Sequence, residues 1–313
     1  MLKNIMFIIN NLPMKKFILV LFLTLCSNYI LFNAQEATDP IVQIEKNDEA
    51  KVRFGLHGMG SVDWLTPENQ KKFLSGGVGI GYGWGPQLEF RLNKKTMLRT
   101  GFNLYSSHSS IDYSPEDLAF DSLYFFLDTD ENYVDWDEAV SYENSVYDIN
   151  SNYSIYHLKR REFRSSYVNI PLSIKMKTNE IGYFTYFGEV GTMFGFKTKS
   201  ISNDQCIRMS IADSSGLISP TPSSNDIVNK SDIDFSRGTQ PIRGALTVGF
   251  GAEYNFSGTT SLFFAGHFVY DFINTLRSDK REPFLRRYYN DNYDPVGAFS
   301  AMRSVRLSVG ILF

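Results

Sequence analysis

Cysteine is scarce: two residues in 313, Cys26 and Cys206, and Cys26 falls in the leader described below. With one cysteine left, the mature chain can close no intramolecular disulfide and build no thiolate metal cage. Long hydrophobic runs are missing too. Past residue 34 no stretch reaches about 18 consecutive apolar residues, which excludes a transmembrane helix there. Nor is there an excess of positive charge. Without residues 1–34 the chain carries 28 Lys and Arg against 34 Asp and Glu, a balance of −6 that gives no electrostatic case for nucleic acid. The glycines lack a phosphate-binding spacing. In GGVGIGYGWG (76–85) no register gives G-x-G-x-x-G and no Gly-Lys-Ser/Thr follows. No cofactor is implied.

What is present is alternation. In residues 76–92 the large apolar side chains Val78, Ile80, Tyr82, Trp84, Leu88, Phe90 and Leu92 occupy one phase. Glycines and then Gln87, Glu89 and Arg91 occupy the other. Period two is a strand with opposite faces. Seven further segments alternate in the same way, within 52–64, 97–105, 167–176, 181–198, 241–256, 260–274 and 304–313. Each reaches the roughly 9–11 residues that a tilted strand needs to cross a bilayer. Mean hydropathy is only −0.21. Alternation dilutes the apolar signal in a membrane barrel, and 26 Phe with 18 Tyr fit that class.

The N-terminus reads as a targeting segment. Lys15 and Lys16 precede FILVLFLTLCSNYILF (17–32), followed by Asn33, Ala34 and Gln35. A basic start, a short apolar run and a small residue fit a secretory signal beginning at Met14 and cut near Ala34. Residues 1–34 are therefore assigned to the signal, 35–50 to a short periplasmic segment and 51–313 to the barrel.

The connections follow in order as 65–75, 93–96, 106–160, 178–180, 200–239, 257–259 and 275–300. Long and short alternate throughout. A barrel with both termini in the periplasm must do this, with short turns inside and long loops outside. The expected fold is all-β: an eight-stranded antiparallel transmembrane β-barrel of the bacterial outer membrane, with long extracellular loops 106–160, 200–239 and 275–300. Outer membrane lipid is its first partner. The closing pattern Leu307, Val309, Ile311, Phe313 makes Phe313 the assembly signal expected to meet the barrel-insertion machinery.

YVNIPLSIKMK (167–177), the tight turn, GYFTYFGEVGTMFGF (182–196) and the terminal aromatic resemble the PorT-like outer-membrane β-barrel proteins of Bacteroidota. Tyr167, Ile170, Pro171, Leu172 and Lys175 carry the most specific part. The likeness spans the strands from about residue 51 to 313 and omits the two longest loops. It implies a non-enzymatic envelope component, with a tie to type IX secretion through the name-giving member.

The inward phase places Glu89, Arg91, Arg99, Lys175, Glu189, Arg243, Glu253, Asp271 and Arg306, with His267, inside the barrel as structural charges. A small barrel has a side-chain-filled interior that must be polar and paired. A three-residue turn sets Glu89 opposite Arg99, the expected ion pair. His108 and Ser110 resemble the His-x-Ser of barrel lipid A deacylases, but the Asn and Gly that should follow are replaced by Ile111 and Asp112. No catalytic residue, cofactor site or metal site is assigned. DTDEN (128–132) resembles the start of a calcium loop, with Tyr133 where the glycine belongs and no spaced Glu. Loop 106–160 is acidic but rich in aromatics, which disorder is not. Loop 275–300 is basic, so the two are expected to pack, while 200–239 reads as flexible. The functional expectation is a binding or scaffolding component with an envelope or secretion protein as partner. The alternatives are a barrel enzyme acting on lipid or a small diffusion channel.

Overall fold

A computed structural model describes residues 51–313 apart from 71–72, 114–122, 144–145, 151, 212–219, 258–259, 277–283 and 290–291. The signal segment and residues 35–50 lie outside the described residues. In chain order the first strands are β1 (Val52–Pro67), β2 (Leu74–Arg91), β3 (Thr96–Gly101), β4 (Asn103–Asp112), β5 (Leu123–Leu127) and β6 (Tyr133–Val134). A single-turn helix α1 (Trp136–Ala139), β7 (Val140–Glu143), β8 (Val146–Ile149) and β9 (Ser154–Lys177) follow. Then come β10 (Phe184–Ile211), β11 (Pro220–Asp234), β12 (Ile242–Ser257) and β13 (Thr260–Asp271). The last are β14 (Arg286–Tyr289), β15 (Asn292–Pro295) and β16 (Ser300–Leu312).

Hydrogen bonding closes a ring: β1, β2, β3 with β4, β9, β10, β12, β13, β16 and back to β1, every pairing antiparallel. Strands β3 and β4 act as one wall strand with a break at Phe102. The break faces Pro86, which has no N–H to donate; its carbonyl instead accepts from the Phe102 amide at 3.2 Å. Gly101, at φ +154°, absorbs the offset, since a Cβ there would meet the Pro86 carbonyl. Eight strands form the wall, as the alternation predicts.

The phases fall as the alternation requires. Val78, Ile80, Tyr82 and Trp84 point outward, with Ile80 76% exposed. Ile170, Leu172 and Ile174 on β9, Phe250 on β12 and Leu307 on β16 join the same outward apolar band. Inward, glycines make room. A Cβ at Gly81 would collide with Ser61 and Asp63, and one at Gly249 with His267.

The connections at one end are short. Leu92 to Lys95 turns on Asn93, whose Oδ1 accepts from the Lys95 and Thr96 amides at 2.9 and 2.8 Å. Residues 178–183 turn through Gly182 at φ +67°. The other end is different. Residues 200–211 and 220–234, read from sequence as a flexible loop, form the upper part of β10 and its hairpin partner β11, with register running from Ile201↔Asp234 to Ile211↔Pro220. Of the polar residues there, Ser200, Ser202 and Asp204 turn inward and are buried, while Asn229, Ser231 and Asp232 face water. The acidic segment also folds. Strand β5 pairs with the upper part of β9, Tyr124↔His157, and with β14, Arg287↔Leu123. Acidic and basic segments thus meet, through backbone pairing at Leu123 and Tyr124, while Glu131 and Asp135 pair with Lys230 and Arg237 instead.

Candidate functional site

The described side chains form two chemically opposite regions along the barrel axis. In the lipid-embedded part the interior is a charge network. Lys175 lies between Glu89 and Glu253, its Nζ 2.5 Å from an oxygen of each, and above the Phe187 ring at 4.2 Å. Arg53 reaches Glu253 at 2.9 Å and Glu89 at 3.5 Å, and Lys177 donates to Glu253 at 2.7 Å. Arg243 grips Asp271 with two bonds of 2.7 and 2.8 Å. Glu189 takes Arg99 at 2.9 Å and His267 at 2.5 Å. Arg91 sits at the periplasmic rim and is half-buried. Arg306 is buried over the Tyr105 ring at 4.1 Å.

Glu89 and Arg99 are backbone partners in the β2–β3 register. Their ion pairs nonetheless go elsewhere, Glu89 to Lys175 and Arg53, and Arg99 to Glu189, with Arg99 also donating a hydrogen bond to Gln87 Oε1. The expected Glu89–Arg99 salt bridge is corrected to these two pairings. Inside a closed ring the facing strands reach each other across the lumen, so long side chains have partners that hairpin register does not reveal.

Above the lipid band the interior turns apolar. Phe125, Tyr133, Phe163, Phe235 and Phe284 fill it, drawn from β5, β6, β9 and the segments after β11 and before β14. Arg161, fully buried, stands in the middle. Its guanidinium lies 4.7–5.9 Å from the rings of Phe235, Tyr133, Phe125 and Tyr113. It donates twice to Asp204 across β9–β10, both bonds at 2.8 Å. The Tyr133 hydroxyl donates to the same carboxylate at 2.5 Å. Burial alone lowers the guanidinium pKa, but the adjacent carboxylate overrides it and raises the value, so Arg161 stays charged. Burial, and then Asp204, push the Tyr133 hydroxyl well above its ordinary value, so it stays a donor. From the last outward apolar residue of β10, Phe196, to Asp204 is eight residues, a rise on the order of 20 Å for a tilted strand. The folded cap therefore stands outside the bilayer.

Surface acids of this cap are paired from the hairpin. Lys230 binds Glu131 at 2.6 Å and Arg237 binds Asp135 at 2.8 Å. The calcium-like stretch is a turn. Asp128 Oδ1 accepts from the Asp130 and Asn132 amides at 2.9 and 2.7 Å, so its carboxylate serves the backbone. Among the described residues no group of His, Cys, Asp and Glu is placed to hold a metal ion. His108 and Ser110 are each engaged by an arginine. Arg164 donates to His108 Nε2 at 2.9 Å, and Arg160 to Ser110 Oγ at 3.2 Å. At the outer rim a cleft of about 420 Å³ opens between residues 68–73 and 294–299, with Glu68, Asp294 and Arg287 beside Phe73, Val296 and Phe299.

The cap residues were the part that sequence reading missed. Arg161 and Asp204 sit in or beside stretches assigned to loops. The signal was the unbroken apolar run LYFFL (123–127), which marks a strand buried on both faces.

Among solved structures the chain is similar to OprG from Pseudomonas aeruginosa (7% identity, TM-score 0.36, covering 84% of this chain and 96% of that one). It is similar also to Neisserial surface protein A (10%, 0.33, 83% and 95%). A major outer membrane protein from Thermus thermophilus gives 11%, 0.35, 84% and 100%. No curated protein matches the sequence. The family model described as "Outer membrane protein beta-barrel domain" matches residues 33–277. The chain belongs to that family and is an outer-membrane β-barrel protein.

Proposed function

We propose that this barrel is a non-enzymatic binding or scaffolding component of an envelope assembly, presenting a rigid extracellular head to a partner protein. The observation that carries this reading is the head itself. A barrel that only anchors needs no buried aromatic core on the order of 20 Å beyond the lipid. Ordering the head's segments outside the membrane costs conformational entropy, and a fixed surface is what repays it in function. The rim cleft, acidic at Glu68 and Asp294 with an apolar floor, supplies a contact site for a basic and aromatic segment of that partner.

The likeness to the PorT-like proteins extends the proposal to a type IX-like secretion assembly. A diffusion channel finds no support, because the described lumen is occupied by the Lys175 network below and the Arg161 core above. Lipid chemistry finds none at His108 and Ser110, where arginines engage His108 Nε2 and Ser110 Oγ.

The test is affinity purification of the tagged protein from native outer membranes after mild cross-linking. Envelope proteins should co-purify, and Glu68→Lys with Asp294→Lys should deplete them while the barrel remains heat-modifiable. Intact co-purification from the double variant removes the cleft from the proposal. Unchanged protein export in a deletion strain removes secretion but leaves binding. A change in outer-membrane lipid acylation in that strain would instead revive the enzyme reading.

A further inference from the structure

Six Lys and Arg side chains are buried among the described residues: Arg53, Arg99, Arg161, Lys175, Arg243 and Arg306. Five of them hold a carboxylate within ion-pair distance. Arg306 does not. No ion pair to a described carboxylate reaches it; its Nε donates to Ser304 Oγ at 3.3 Å and its Nη1 faces Met193 Sδ at 3.3 Å. Its Nη2 is buried with no partner. A thioether is a weak acceptor, and a ring face offsets only part of a buried charge. An arginine cannot discharge itself by losing its proton. The carboxylates that act on it, Asp63 and Asp271, stand beyond ion-pair distance, and Asp271 is already held by Arg243.

A cavity of about 50 Å³ lies beside it inside the barrel. Arg306 lines that space with donors on His57, Asn103 and His267, set among the apolar Met193 and Val269. His57 Nδ1 is also buried without a partner. The carboxylate in the wall, Glu189, is already held by Arg99 and His267. His267 and Arg306 are direct neighbours in the β13–β16 register, so the unbalanced charge and the donors converge from adjacent strands.

We propose that this cavity binds one small monovalent anion of halide size. The volume exceeds the roughly 10–15 Å³ that one water-sized particle needs, and it has no room for a tetrahedral oxyanion with its own hydration. A halide accepts from several donors without directional demands, and it neutralises Arg306 where a water molecule leaves the charge intact. A cation is repelled by the same guanidinium. This inference is independent of any partner on the outside.

The purified, refolded full chain is unfolded with urea in detergent in potassium bromide or chloride, against potassium gluconate at matched ionic strength. Gluconate is too large for the cavity. Above the dissociation constant, each tenfold rise in halide should raise the folded-to-unfolded ratio about tenfold, and gluconate should not. Arg306→Met should abolish the halide dependence. If that variant fails to fold, crystals of the wild type grown with bromide give a second readout: anomalous density within hydrogen-bond distance of Arg306. Equal stability in halide and gluconate overturns the proposal. So does halide dependence that persists in Arg306→Met. So does a water bridging Arg306 to the free Oδ2 of Asp63 in the place of bromide.

Discussion

The two halves of this molecule reverse each other's chemistry. In the membrane the outside is apolar and the inside is charged, with Ile80 and Phe250 toward lipid and Lys175, Glu89 and Glu253 toward the lumen. Outside the membrane the same β9 and β10 strands exchange the roles of their two faces, and a register shift between Gln205 and Cys206 moves the inward phase along the way. Phe163 and Tyr156 now face the interior, while Glu162 and Arg164 face water. The solvent makes the difference. Lipid has no hydrogen bonds to offer, so polar groups gather inside; water has no use for apolar surface, so aromatics gather there instead. One inward charge survives the crossing, Arg161, and it survives because Asp204 and Tyr133 accompany it.

The comparison breaks hardest at Lys175. Lys175→Met leaves Glu89 and Glu253 with Arg53 as their one remaining shared cation, and the loss should be about 3–5 kcal/mol, typical of a broken buried pair. Urea unfolding in lipid vesicles measures it. A double-mutant cycle with Glu89→Leu should show strong coupling, whereas Glu89→Leu with Arg99→Met, register neighbours without an ion pair, should couple more weakly. Strong coupling in the second pair would restore the hairpin ion pair that register alone suggests. In the outer half the counterpart is Asp204→Ala. It removes the carboxylate that Arg161 and the Tyr133 hydroxyl both donate to, for about 3–5 kcal/mol of cap stability. Proteolysis of the cap should accelerate while the barrel stays heat-modifiable. A cap as resistant as wild type would mean that the aromatic cage alone holds the arginine.

Much of the lower half was legible because lipid and lumen impose one rule on every strand. The alternation at 76–92 and the inward phase of Glu89, Arg99 and Glu189 could be read without coordinates. Partners across the lumen could not, since a closed ring lets Lys175 choose between strands β2 and β12 and no local pattern records the choice. The cap was harder still. Its strand β5 is buried on both faces and does not alternate, and β10 with β11 carries serines and aspartates on its buried face as well as its wetted one. Arg161 and Asp204 are 43 residues apart, and only the register between β9 and β10 brings them together.

A smaller effect separates the two apolar surfaces. Phe125→Ala removes a fully buried ring from the cap and should cost about 3–5 kcal/mol, since a cavity remains. Phe250→Ala removes an equal ring from the lipid face, where acyl chains close over the gap. It should lose only the transfer contribution, at the low end of ~1.5–3 kcal/mol. The same unfolding assay ranks them. Equal losses would imply that Phe250 is covered by protein in the membrane, which would point to an oligomer.

The finest contrast is a single thiol. Cys206 is fully buried in the cap core, its Sγ 3.5 Å from the Val228 carbonyl. Burial first, and then the Asp204 carboxylate, push its pKa up to about 12. An unfolded cysteine titrates near roughly 8.5. Below that pH the thiol is protonated in both states and its contribution to stability is fully present. As pH rises from about 8.5 toward 12 only the unfolded chain releases the proton, so cap stability declines, by about 1.4 kcal/mol at pH 9.5. Cys206→Ser should remove that part of the decline. At about pH 8 the native thiol should react with an impermeant thiol reagent on whole cells far more slowly than a cysteine placed at the exposed Ser223 in the Cys206→Ser background. One placed at Asn93, on the periplasmic turn, should not react at all. Labelling of Cys206 as fast as of the Ser223 position would mean that the cap opens in the native state, and the reversal between the two halves would then stop at the membrane surface.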